Sequence, residues 1–114
     1  MKQEVFISGR DYEAKAIYID GRVIVCKGSQ IKFTEANHFR HSEVAFSLRD
    51  NEEYVQDGYV VKECEFDSPS IAAQFITGGS RNGYDTWKVR KGYTLGQFLQ
   101  DQGIRERKIR KKEQ

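Results

Sequence analysis

Alternation of apolar and polar positions organises the first third of the chain. From Ala14 to Asp20 the period is two, with Ala14, Ala16 and Tyr18 on one side and Lys15, Ile17 and Ile19 on the other. That is the pattern of a half-buried strand. Asp20-Gly21 follows, and Arg22 to Lys27 is again apolar and β-branched. Two such runs joined by Asp-Gly predict a β-hairpin, because a type I′ turn needs positive φ at both central residues. Val5 to Ser8 predicts a short strand or edge segment ahead of the hairpin. Gly28-Ser29 ends the hairpin's second strand, and Ile31 to Phe33 continues it after a turn or bulge.

Further along, helical spacing enters. Thr34 to Ser42 reads as a loop, and Ser42 caps a helix from about Glu43 to Glu53 with Val44, Leu48 and Val55 at helical spacing. Asp57-Gly58 marks a turn. Tyr59 to Phe66 then predicts a strand near a sheet edge, since neither of its faces is cleanly apolar. Ser68 and Pro69 start a helix as N-cap and first helical residue. Its stripe is Ile71, Ala72, Phe75 and Ile76, and Gly78-Gly79 stops it. Asn82-Gly83 turns into a predicted strand, Tyr84 to Arg90, with Asp85, Trp87 and Val89 opposite Tyr84, Thr86, Lys88 and Arg90. Lys91-Gly92 turns again. Thr94 with Gln97 forms a capping box ahead of Leu95, Phe98 and Leu99, and Gly103 ends that helix. The expected fold class is α+β: a small mixed or antiparallel sheet of four to six strands with about three helices, beginning with a β-hairpin. Residues 1–103 form the expected single domain and residues 104–114 a basic C-terminal tail.

Composition narrows the class. The 114 residues fit one domain, and 38% apolar with 32% charged residues is polar yet rich enough in Tyr, Phe, Val and Ile for a core. No run approaches the roughly 18 apolar residues of a membrane span, and Met1-Lys2-Gln3-Glu4 has no apolar stretch behind it. A cytoplasmic location with no membrane partner is therefore expected. Cys26 and Cys64 both fall in strand-like runs and read as free buried thiols; a bridge would require those strands to be neighbours.

Charge is distributed unevenly. Residues 1–79 hold nine Lys/Arg against thirteen Asp/Glu, and residues 80–114 hold ten against four. The basic excess belongs entirely to the last third, which suggests an anionic partner, with solubility alone as the alternative. Arg81, Lys88, Arg90 and Lys91 with Asn82 and Tyr84 form the candidate site. A basic stripe beside an aromatic ring has the composition that phosphate contacts and base stacking use. Trp87, on the opposite face, reads as core. Arg105, Arg107, Lys108, Arg110, Lys111 and Lys112 extend the charge into the tail, where a solvated end is the plain alternative.

Other chemistries find less support. The helix opening at Ser68 offers backbone N–H groups to an anion, but Asp67 beside it repels one. Gly78 to Gly83 lacks the Gly-Lys-Ser/Thr ending of a phosphate loop and follows a helix, which fits a tight connection. His38, His41, Cys26 and Cys64 come from three distant segments without a Cys-x-x-Cys pair, so no metal and no cofactor is expected. No nucleophile elbow or carboxylate pair is visible, and no catalytic residue is assigned.

Phe66-Asp67-Ser68-Pro69-Ser70-Ile71-Ala72-Ala73, then Gly78, Asn82-Gly83, Trp87-Lys88 and Gly92-Tyr93-Thr94-Leu95, resembles a small bacterial domain of unknown function. That domain is found downstream of GIY-YIG nuclease domains and in restriction-system contexts. The pattern is also similar to the RAMA domain (restriction enzyme adenine methylase associated), whose proposed role is contact with DNA, modified DNA included. Val23 to Ser29 fits the strand expected ahead of this core, so the resemblance spans roughly residues 14–99. No nuclease domain lies within these residues. The resemblance implies a non-catalytic accessory module with DNA or RNA as partner, or, alternatively, a protein-interaction domain that partners a nuclease or methylase.

Overall fold

The structure, a computed structural model, describes residues 2–32, 47–79 and 81–103. Among the described residues there are eight strands: β1 (Lys2–Ser8), β2 (Glu13–Ile19), β3 (Arg22–Val25), β4 (Val55–Gln56), β5 (Tyr59–Val60), β6 (Cys64–Phe66), β7 (Lys88–Arg90) and β8 (Tyr93–Thr94). Three helices accompany them: α1 (Pro69–Thr77), the single turn α2 (Gly83–Thr86) and α3 (Leu95–Asp101). Residues 47–49 are also helical. Six strands form one antiparallel sheet in the order β6-β3-β2-β1-β7-β8, and β4-β5 is a separate two-stranded hairpin. The α+β class and the antiparallel sheet agree with the pattern of the sequence.

The β2-β3 hairpin turns as its residues dictate, with φ of 47° at Asp20 and 92° at Gly21. Alternation then divides the sheet into two faces. Val5, Ile7, Ala14, Ala16, Tyr18, Val23, Val25, Cys64 and Phe66 are buried on the inner face. α1 covers them with Ala72, Ala73, Phe75 and Ile76, and α3 adds Leu95 and Leu99. Phe66 and Phe75 meet with ring centroids 5.0 Å apart, and burying each such ring contributes about 1.5–3 kcal/mol. The small alanines of α1 let the helix lie close to the strands.

Both long helices begin and end as expected. The Ser68 side chain accepts from the Ile71 N–H, Pro69 occupies the first turn, and Gly78 closes α1 in the left-handed region at φ 72°. At α3 the reciprocal Thr94–Gln97 box is complete. Among the described residues no helix is long and apolar enough to cross a membrane.

Three expectations are corrected. Tyr59 to Phe66 is not one strand: Val61–Glu63 break it, because β5 exchanges hydrogen bonds with the Gly28–Ser29 turn while β6 pairs with β3. Tyr84 to Arg90 is a strand only from Lys88; Asn82 caps residues 83–86 into a helical turn instead. The helix expected over residues 43–53 is helical at 47–49 and gives way to turns by Asp50, so Val55 enters the core from a strand; its first residues lie outside the described ones. Of the strand or edge segment expected at Val5 to Ser8, the structure shows the strand, an interior one between β2 and β7. The loop from Thr34 to Ser42, His38, His41, Phe33 and the basic tail also lie outside the described residues.

Cys26 and Cys64 are free. Their strands are neighbours, but Cys64 is in register with Val25, so successive side chains send the two thiols to opposite faces. Burial pushes the Cys64 thiol up to about 11, and it raises Cys26 as well, with Lys15 nearby opposing the rise.

Candidate nucleic-acid interface

The segment from Ser68 to Trp87 contains a joint in which the distinctive residues hold one another. The Trp87 indole N–H donates to the Pro69 carbonyl at 3.0 Å, and the Ser70 hydroxyl accepts from the Gly83 N–H at 2.9 Å. Trp87 is fully buried. A Cβ on Gly83 would lie 2.1 Å from the Pro69 carbonyl carbon and 2.3 Å from both its oxygen and the Ser70 nitrogen, so only glycine permits this approach. The Asn82 side chain accepts from the Tyr84 N–H at 2.9 Å. α2 thereby docks on the first turn of α1.

The candidate residues divide accordingly. Asn82 works as a cap, and Tyr84 packs half-buried against the core from α2, so it does not share a strand face with Lys88 and Arg90. Arg81 is exposed just before the cap, and Lys91 is exposed in the β7-β8 turn. Lys88 and Arg90 lie either side of Val89, which packs against the core, and a bulge opens the β7-β8 pairing between them. Lys88 Nζ donates to the Asp85 carbonyl at 2.9 Å, which orients the ammonium. The Arg90 guanidinium lies 4.3 Å from the centre of the Tyr93 ring. The Tyr93 hydroxyl donates to Asp101, which raises the phenol above its ordinary value.

Strand register adds residues that the sequence did not mark. Phe6 on β1 stands opposite Lys15 on β2 and opposite Lys88 on β7. The row Lys15–Phe6–Lys88 therefore crosses three strands on the outer face, and Phe6 is 39% exposed there. Lys15 pairs with Glu4 at 3.5 Å, an exposed contact of about 1 kcal/mol at most. Tyr59, 48% exposed, lies beyond Gln30, which bridges Glu13 to it. Phe6, Tyr59, Lys15, Lys27, Glu13 and Glu63 line one groove of about 610 Å³ on this face. In the row beyond Phe6, Ile17 and Ile24 face each other half-buried between Glu4 and Glu65. The one sequence signal for Phe6 was its place between two inward residues, Val5 and Ile7; its cationic neighbours come from segments far apart in the chain.

Residues 5–99 match the family described as Domain of unknown function (DUF4357). The chain belongs to this family. No curated protein and no solved structure matches it. The DUF4357 match runs from β1 to α3 and so takes in both the joint and the outer face. Among the described residues no group of three or more His, Cys, Asp or Glu side chains is arranged to hold a metal ion.

Proposed function

We propose that the domain is a non-catalytic accessory module that binds nucleic acid through the basic end of its outer sheet face. The observation that carries this reading is the in-register row Lys15–Phe6–Lys88, continued by Arg90 and Lys91 at the β7-β8 end. Cations spaced across neighbouring strands neutralise phosphates of one backbone, and an exposed ring among them offers a base a stacking partner. Arg81 is exposed beside the α2 cap, apart from this row. Asn82 and Tyr84 take supporting roles, since one caps α2 and the other packs beneath it. The similarity to the RAMA domain and to domains that follow GIY-YIG nucleases agrees with a role in restriction or nuclease systems in the bacterial cytoplasm.

Fluorescence anisotropy with a labelled oligonucleotide over a range of salt concentrations tests this. The logarithm of the affinity falls linearly with the logarithm of the salt concentration, and the Lys88→Glu/Arg90→Glu double variant loses binding while keeping its circular dichroism spectrum. Full affinity in that folded double variant removes the proposed surface. A second reading, docking of a separately encoded nuclease or methylase, is favoured by the Ile17/Ile24 pair at the centre of the same face. In that case a stoichiometric protein partner is retained in the absence of nucleic acid, and Ile17→Lys abolishes its capture.

A further inference from the structure

The two most exposed rings of the described chain, Phe6 and Tyr59, line the same groove from opposite sides of the Glu13–Gln30 ladder. Neither is required by the core. Val5 and Ile7 bury the inner side of β1, and Val60 does the same for β5, while Phe6 and Tyr59 alternate outward. Two exposed rings on one groove offer a partner aromatic area to contact. Around it stand Lys15, Lys27 and, across β1 from Lys15, Lys88. Aromatic faces flanked by cations suit a polyanion whose bases are free to leave their own stack. A duplex hides those faces and presents its phosphates and groove edges, which the rings cannot use.

We infer that the outer face selects single-stranded nucleic acid, with two non-adjacent bases of the strand stacked on Phe6 and Tyr59 and the phosphates following Lys15, Lys27 and Lys88. The inference rests on the nucleic-acid reading above and adds the strand state of the ligand. Glu13 and Glu63 on the groove wall repel phosphates and so keep the backbone on the lysine side. Their carboxylates can accept from the exocyclic amino groups of bases seated in the groove. A groove of about 610 Å³ has room for an unstacked base.

The test compares a mixed-sequence single strand with the corresponding duplex at one fixed low salt concentration. It uses the full chain and the variants Phe6→Leu, Tyr59→Leu and Lys88→Glu/Arg90→Glu. Leucine keeps apolar bulk and removes the ring, so folding is preserved at both exposed positions. The wild type should prefer the single strand by about tenfold or more, and each leucine variant should lose about tenfold in that affinity. Duplex affinity should stay unchanged in the leucine variants. Equal binding of both forms, or leucine variants with wild-type affinity, overturns the inference; loss of binding in the charge-reversed variant then leaves the broader reading standing. Binding of neither form at low salt, or protein capture through Phe6 without nucleic-acid binding, overturns both.

Discussion

The two faces of the sheet use their residues in opposite ways. On the inner side, and in the joint beneath it, the distinctive polar groups are occupied: Ser68 caps α1, Ser70 and Pro69 hold Gly83 and Trp87, and Asn82 caps α2. On the outer side, Phe6 and Tyr59 are exposed, and the nearby cations make exposed contacts: Lys15 with Glu4, Lys88 with a carbonyl and Arg90 with the Tyr93 ring. The most recognisable stretch of sequence is thus the most structural one. Positions open to a partner lie where the sequence is least distinctive, since an outward residue on a strand has only to tolerate water.

Substitutions that separate the two faces begin with the joint. Gly83→Ala places a methyl against the Pro69–Ser70 backbone, which cannot yield as a flexible side chain would, and should cost about 3 kcal/mol. A shift in urea midpoint at constant m-value measures it, and wild-type stability would show that the two segments do not meet. Trp87→Phe keeps an aromatic ring but removes the indole N–H and leaves a gap, for an expected loss of about 2 kcal/mol. Ser68→Ala should cost about 1 kcal/mol through the lost cap. On the outer face, Lys88→Glu/Arg90→Glu should change stability by no more than about 0.5 kcal/mol while abolishing oligonucleotide binding. Equal stability effects at the joint and at the rim would erase the contrast.

Two titrations sharpen the comparison further. At neutral pH iodoacetamide should modify Cys26, on the groove, before Cys64, whose thiol is buried and raised to about 11; mass spectrometry gives the order. The smallest effect belongs to Tyr93. Its hydroxyl donates to Asp101, so the folded state holds the phenolic proton more tightly than the unfolded chain does. That contribution is complete below the unfolded value of 10.0 and is lost as pH rises through the higher folded one. Wild-type stability should therefore fall more than that of Tyr93→Phe above pH 10, by a small margin because the group is exposed.

Local signals carried most of the fold. Asp20-Gly21, Ser68-Pro69, Gly78 and Thr94/Gln97 each specify a turn or helix end through their own backbone chemistry, and each does so in the structure. Residues 84–90 misled because alternation continued through a segment whose fate depends on a distant partner. Asn82 caps a turn there so that Trp87 can reach Pro69, eighteen residues away in sequence. Val61–Glu63 misled similarly: β-favouring residues on either side belong to different sheets. Of the candidate site, Lys88, Arg90, Lys91 and Arg81 were legible as a basic cluster. Phe6 and Lys15 were not, because only the pairing of β1 with both β2 and β7 brings them beside Lys88.

The most direct test of the outer face as the binding surface is a titration of isotope-labelled protein with a single-stranded oligonucleotide, followed by amide chemical shifts. Shifts should concentrate at Glu4–Ser8, Glu13–Ile17 and Lys88–Lys91 and leave Ala72–Ile76 of α1 unmoved. Shifts centred on α1 and the Gly83 joint, with β1 and β7 silent, would contradict the account.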